Sequence, residues 1–334
     1  MSNKSDIKEL NQMLSNLETL KSGVLAIYKD KLLLFEKITG YRDLPNELPI
    51  DKDTSFSTAS LGKIFVALGI IKLIEDNLLN FSSQLKDLIT FDLKGIDGSI
   101  TIEQLLTHTS NIPNYFDTSI TDDYAKLWED YPNYKIRSPK DLLPLFIDKP
   151  MKRSKGKVFE YSDSGFVMLS IVIEELTKSS FDNYLEEIIF KPLSMNCTGY
   201  YELDRLPNNC ATNYIFDKIK NQFYSNIYSI DVKGTGAGGA FTSVNDMNRF
   251  WHGLFDYKII SKPMLKNMLT PSFVGEDFDY GLGVWLDKSG NPFVMGSDPG
   301  LECYSHYSIE TTKQFTIISN YADLIYPLFL ELIE

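Results

Sequence analysis

Cysteine, histidine and positive charge are all scarce in this chain of 334 residues, and each shortage removes a class of function. The three cysteines, Cys197, Cys210 and Cys303, are odd in number and lack metal-ligand spacing, so neither a disulfide framework nor a zinc site is expected. Lys and Arg number 33 against 45 Asp and Glu, a formal net charge of -12, which argues against nucleic acid or anionic lipid as a partner. No apolar run reaches the length of a membrane span. The opening MSNKSDIKELNQMLSNLETLKSG has no continuous hydrophobic stretch or small-residue cleavage site, so a cytoplasmic protein is expected. Only His108, His252 and His306 are available, and there is no G-x-S-x-G or H-E-x-x-H pattern, which leaves a Ser-His-Asp triad poorly supported. No metal and no cofactor are expected.

What the chain does contain is ordinary globular composition, with 43% hydrophobic and 23% charged residues, and a length that calls for one large two-lobed unit or two domains with a shared interface. Ile7, Leu10, Met13, Leu14, Leu17 and Leu20 recur every three or four residues, which predicts an amphipathic helix over residues 5 to 21. GVLAIYK and KLLLFEKITGYRD follow as a hairpin around Asp30. Near the other end YGLGVWLD, NPFVMG, LECYSHYSIE and KQFTIISNY read as strands, and ADLIYPLFLELIE as a closing helix. Residues from about 56 to 271 carry mainly helical periodicity. The pattern predicts an α+β protein of one domain. An antiparallel sheet with terminal helices is built from 1–55 and 272–334, and a mostly helical lobe, 56–271, is inserted between them.

Gly234-Thr235-Gly236-Ala237-Gly238-Gly239 satisfies G-x-G-x-x-G, but it lies outside any strand-helix-strand alternation and precedes a helix start capped at Ser243 to Asp246, so a dinucleotide site is not expected. S-x-x-K occurs four times, at Ser5/Lys8, Ser60/Lys63, Ser83/Lys86 and Ser154/Lys157. Only Ser60 follows a small-residue approach, FSTAS, and opens a long apolar helix, Ile64 to Leu79, fit for a core. Three residues apart, the Ser60 hydroxyl and the Lys63 amine share a helix face, where the helix N-terminus favours a developing alkoxide. Burial would lower the lysine pKa and let Lys63 accept the serine proton. The bland alternative is an N-cap serine with a solvated lysine.

Four further segments join TASLGK in one order: ITIEQLLTHTSNIP, FEYSDSGFVMLSIVIEELT, AGGAFTSVNDMNRF and YGLGVW. Together they resemble the β-lactamase and penicillin-binding protein family of serine hydrolases, specifically its class C-like, D-alanyl-D-alanine carboxypeptidase and esterase branch. The resemblance spans most of the chain. It implies the β-lactamase/transpeptidase-like fold, with Ser60 as nucleophile and Lys63 and Tyr161 as its proton-handling partners. Asp163 stands where the family has asparagine. It is either a partner of Lys63 or the N-cap of the following helix, and contact with Lys63 would hold that lysine charged and shift the base role to Tyr161. His108 matches the end of a structural helix.

The third motif of the family is a Lys or His, any residue, then Gly. Alignment on Pro299-Gly300 places Val294, Met295 and Gly296 there, so the cation is missing. The amides of Ser297 and Ser60 remain as an oxyanion hole. His306 is a possible substitute cation, although a surface strand histidine is the plainer reading. A small-molecule acyl substrate follows, an ester, amide or lactam, with neutral substrates favoured over carboxylates because Val294 offers no anchor. The activities implied are an esterase or peptidase-like hydrolase, a true β-lactamase or D,D-peptidase, or a catalytically impaired relative that only binds. The sequence carries no signal of oligomeric state.

Overall fold

The computed structural model describes residues 17–116, 123–151, 156, 158–321 and 325–333. Strands β1 (Gly23–Lys29) and β2 (Leu32–Thr39) form the hairpin expected near Asp30. From the far end of the chain come β3 (Phe273–Val274), β4 (Asp279–Tyr280), β5 (Trp285–Leu286), β6 (Pro292–Asp298), β7 (Leu301–Tyr307) and β8 (Lys313–Ser319). All eight join one antiparallel sheet in the order β2-β1-β8-β7-β6-β5-β4-β3, so β1, early in the chain, pairs with β8, near its end. The β1 residues are buried and β-favouring, as a central strand requires. The edge strand β2 exposes Leu32, Leu33 and Leu34.

Four helices matter for the site: α1 (Lys63–Glu75), α2 (Ile102–Leu106), α3 (Asp163–Thr177) and α4 (Val244–Phe255). Helix α1 is apolar on nearly every face because it runs through the main core, where Phe65 meets Phe190 and Phe250 edge-on. Each such ring stabilises the fold by about 1.5–3 kcal/mol on burial. A second core lies between the sheet and α5 (Tyr326–Ile333), with Phe293 and Phe315 against Phe329.

Of the helix expected over 5–21, residues up to 16 lie outside the described residues, and Leu17–Thr19 make one short 3-10 turn with Leu17 and Leu20 buried. The long helix expected from Ile64 to Leu79 ends at Glu75, because Asp76 leaves the helix and Asn77 takes a left-handed conformation. Among the described residues no helix is long and apolar enough to cross a membrane.

Candidate active site

The serine singled out by sequence does not cap a helix. Ser60 lies inside a 3-10 turn, Ala59–Gly62, that feeds directly into α1. Its predecessor Ala59 is held at φ 44, a left-handed conformation disfavoured for a residue with a Cβ. Two neighbours pin this turn. Phe56–Ser57 pairs with Phe241–Thr242, and Gly239 N–H donates to the Ala59 carbonyl at 3.0 Å. On the other side β6 packs flush: a Cβ on Gly296 would fall 2.1 Å from the Thr58 oxygen and 2.9 Å from the Ser60 nitrogen, so only glycine fits. Gly238 is equally constrained, since a Cβ there would lie 2.4 Å from the Ala59 oxygen.

Lys63 is 3% exposed and its amine donates to Ser60 Oγ at 2.9 Å, to Asp163 Oδ1 at 2.7 Å and to the Ala237 carbonyl. Three acceptors use all three hydrogens of an ammonium and leave no lone pair to take a proton. Burial pulls the ammonium toward neutrality, but the Asp163 carboxylate outweighs it and holds the group above the ordinary lysine range. The lowering expected from burial alone is therefore reversed by a partner. Asp163 is not the cap of α3. Ser162 fills that position, accepting from Gly165 N–H at 3.1 Å, and this frees the Asp163 carboxylate, one residue on, to reach Lys63.

Tyr161 borders the same pocket as Ser60, and its ring centroid lies 5.0 Å from the Lys63 amine. Burial raises the phenol above its ordinary value, and the opposing pull of Lys63 does not cancel it, so the group is a neutral phenol at pH 7. Beneath it the His108 ring packs at a 36° tilt, 4.3 Å between centroids. Ser162 N–H donates to His108 Nδ1 at 3.1 Å, which fixes the proton on Nε2, facing Tyr280 Oη at 3.0 Å. Burial, with Lys63 adding to it, pushes His108 well below its ordinary value. It is a neutral platform under Tyr161, at the end of α2 as expected.

Ser60, Tyr161, Asp163 and Ser297 border one pocket of about 590 Å³. Of the third-motif region, Gly296 abuts the nucleophile turn, Met295 packs toward the second core, and Val294 is buried in the main core without bordering the pocket. His306 is no surface histidine: it is 5% exposed and bonded through Nε2 to Asp287 Oδ2 at 2.9 Å, away from the pocket wall. The Gly234–Gly239 segment, excluded as a dinucleotide loop, lines the pocket and supplies the Ala237 carbonyl to Lys63. Of the other S-x-x-K pairs, Ser83 caps a surface turn by accepting from Asn80 N–H at 3.0 Å, and Ser5/Lys8 and Ser154/Lys157 lie outside the described residues.

Sequence reasoning missed Asn114, whose side-chain oxygen accepts from the Asp163 and Ser164 amides at 3.1 and 3.2 Å while its nitrogen donates to Asp163 Oδ2 at 3.2 Å. Its only signal was its place just after the THTSNIP segment. Also missed were Asp231 and Asp298, two further carboxyls on the pocket wall.

A family model described as Beta-lactamase matches residues 10–324. Penicillin-binding protein 4* of Bacillus subtilis (strain 168) is 27% identical over 307 residues, 86% of this chain but 65% of that protein, so the chain spans just under two thirds of that relative. The solved penicillin binding protein from Bacillus halodurans is 32% identical with a TM-score of 0.90, over 97% of this chain and 99% of that one. D-amino acid amidase from Ochrobactrum anthropi SV3, at 20% identity and a TM-score of 0.77 over 97% and 94% of the two chains, shares the fold. The α+β architecture read from the sequence is thus the β-lactamase/transpeptidase-like fold, and the chain belongs to the Beta-lactamase family of serine hydrolases.

Proposed function

We propose that the protein is a serine acyl hydrolase that works through an acyl-enzyme on Ser60. The observation that carries this reading is the Lys63 ammonium, buried and shared between Ser60 Oγ, Asp163 and the Ala237 carbonyl. A buried cation aimed at a serine oxygen stabilises the negative charge that grows there on attack. Because Lys63 has no free lone pair and Tyr161 is a neutral phenol, the proton moves by relay. Ser60 Oγ bonds to the substrate carbonyl carbon as its proton passes to Tyr161 Oη, and the Tyr161 proton passes to the leaving alcohol or amine. The phenol ends as it began, so its raised pKa is no obstacle. The amides of Ser60 and Ser297 hold the oxyanion. Water then attacks the acyl carbon, its proton goes to Tyr161, and the Tyr161 proton returns to Ser60 Oγ.

The substrate class is a small ester or amide whose leaving side carries no carboxylate. No Lys, Arg or His is among the described residues that border the pocket, so a penicillin or peptide carboxylate would lose hydration without a partner. Penicillin binding, which names the relatives, is expected to be weak here. The test is a fluorophosphonate probe read by intact mass. A single adduct on the unmodified protein and none on Ser60→Ala is expected. No adduct on either would replace turnover with a binding role for the same cleft.

A further inference from the structure

Asn114 stands one step behind the groups that the proposed chemistry uses. It borders the pocket on the loop after α2, and that loop is tied to the first turn of α3 on both sides of it. Ser162 Oγ donates to the Ile112 carbonyl at 3.3 Å, and Tyr115 N–H donates to Ser164 Oγ at 2.9 Å. The Asn114 side chain spans the join. Its Oδ1 accepts from the Asp163 and Ser164 amides at 3.1 and 3.2 Å, two of the donors that a helix start leaves without partners, while the Ser162 hydroxyl takes that of Gly165. With the oxygen committed to those amides, the nitrogen is turned to Asp163 Oδ2, to which it donates at 3.2 Å.

Asp163 is thereby held at both ends, Oδ1 by Lys63 at 2.7 Å and Oδ2 by Asn114. A carboxylate that is 21% exposed and anchored through one oxygen alone is free to turn toward solvent in the pocket and draw the Lys63 amine off Ser60 Oγ, which the amine meets at 2.9 Å. Only a side chain with one accepting and one donating end serves both neighbours. Aspartate at 114 would set oxygen against oxygen, and leucine, of similar shape, would offer neither bond. We propose that Asn114 is a positioning residue for acylation, fixing the Asp163 carboxylate in the orientation that directs Lys63 to Ser60. The role rests on Ser60 being the nucleophile, and the experiment separates its failure from the failure of that reading.

The complementarity can be reversed. With Asn114→Asp and Asp163→Asn together, the new carboxylate accepts from the same two amides and from the new amide nitrogen, whose oxygen still faces Lys63, so every hydrogen bond survives. Either substitution alone sets two acceptors or two donors against each other. Fluorophosphonate acylation rates are read by intact mass below the melting temperature of each protein. At pH 8 each single substitution is expected to slow acylation by about tenfold or more, and the double variant to return it to within about fivefold of the unmodified rate. Asn114→Leu should be slow at every pH, with Asn114→Ala in reserve if leucine misfolds the loop. Asn114→Asp should gain about fivefold on the unmodified protein between pH 8 and pH 5, because one proton shared by the facing carboxyls restores a donor between them. Among the other groups whose charge acts on Asp163, Lys63 and the phenols of Tyr115, Tyr161 and Tyr280 keep one protonation state over that range, and the ratio cancels the titration of Asp231 and Asp298. Single variants that acylate at the unmodified rate, or a double variant no faster than the singles, would overturn the proposal. A residue that merely contacted the substrate would show no such rescue. No adduct on the unmodified protein would remove the hydrolase reading and this role with it, whereas an adduct without rescue removes this role alone.

Discussion

Lys63→Met removes one charge from a pair that the fold has taken out of water. The Asp163 side chain is 21% exposed and keeps Asn114 as a donor, so the stranded carboxylate is partly compensated. Breaking a fully buried pair costs about 3–5 kcal/mol, and this partial compensation puts the expected loss near the lower end, ~2–3 kcal/mol. Asp163→Asn strands the ammonium instead, although Ser60 Oγ and the Ala237 carbonyl still accept from it, and a loss of ~1–2 kcal/mol is expected. The double substitution leaves no uncompensated charge, so its loss should fall short of the sum by at least ~1 kcal/mol. Urea unfolding followed by tryptophan fluorescence measures all four proteins, and fluorophosphonate acylation measures the chemistry in parallel. Stability is expected to recover in the double variant while acylation stays at least a hundredfold below that of the unmodified protein. Additive stability losses would refute the pairing, and near-normal acylation in Lys63→Met would remove the ammonium from the mechanism.

Tyr161→Phe is expected to lower turnover of a neutral ester by about a hundredfold or more, the usual scale for losing a positioned proton transfer; an unchanged rate would dismiss the relay. The active form carries protons on both Lys63 and Tyr161, and both are held above their ordinary values, so kcat/KM for a neutral ester should show no alkaline fall below about pH 10. A falling limb centred near pH 8 would contradict that protonation state. Gly296→Ala drives a methyl into the Thr58 carbonyl, so a loss of roughly 1–3 kcal/mol in stability and a large drop in acylation are expected together. Asp298 keeps a proton in the folded state that the unfolded chain releases above pH 4, so native stability should decline as pH rises from 5 to 8. The rise from 3.8 to about 7 sets a ceiling of about 4 kcal/mol, and water in the open pocket reduces it to roughly 2 kcal/mol. Thermal melts should therefore show Asp298→Asn gaining on the unmodified protein as pH increases; parallel curves would refute the shift.

Sheet and helix periodicity were legible because burial selects side chains by face. The runs around Gly23, Pro292, Leu301 and Lys313 became strands close to where alternation and turn residues put them. Ser60 and Lys63 were legible because a three-residue spacing at the head of an apolar helix has few other uses. The charge state of Lys63 was not legible, since it depends on Asp163, one hundred residues away, and on a backbone carbonyl that no side-chain pattern announces. Asp163 itself was ambiguous between cap and partner, because Ser162 and Asp163 are both good N-cap residues and only the backbone decides which one caps. His306 was misjudged because strand alternation gives the face of a residue but not what covers it, and Asp287 arrives from a separate turn. Asp231 and Asp298 belong to no motif in the sequence. Their meeting in one pocket depends on contacts across the whole fold.

Left-handed non-glycine backbone occurs at several turns, Lys31, Tyr257 and Thr312 among them, but at the pocket it coincides with a buried charge. Ala59 holds a left-handed backbone and Lys63 is an ammonium inside a core, and Ala59 borders the pocket into which Lys63 points through Ser60. The helices around it are ended conventionally: α2 carries a capping box between Thr101 and Gln104, and α4 is capped by Ser243. A buried charge lowers stability unless the surrounding structure compels it, and an ammonium held against a serine oxygen on the pocket wall supports the proposed chemistry by an argument independent of family likeness. A cleft that only held a ligand would need neither a strained turn nor a buried ammonium on a serine oxygen. In the proposed mechanism those two features act on charge that would develop only as Ser60 reacts, which is why acylation, and not affinity, is the measurement that tests it.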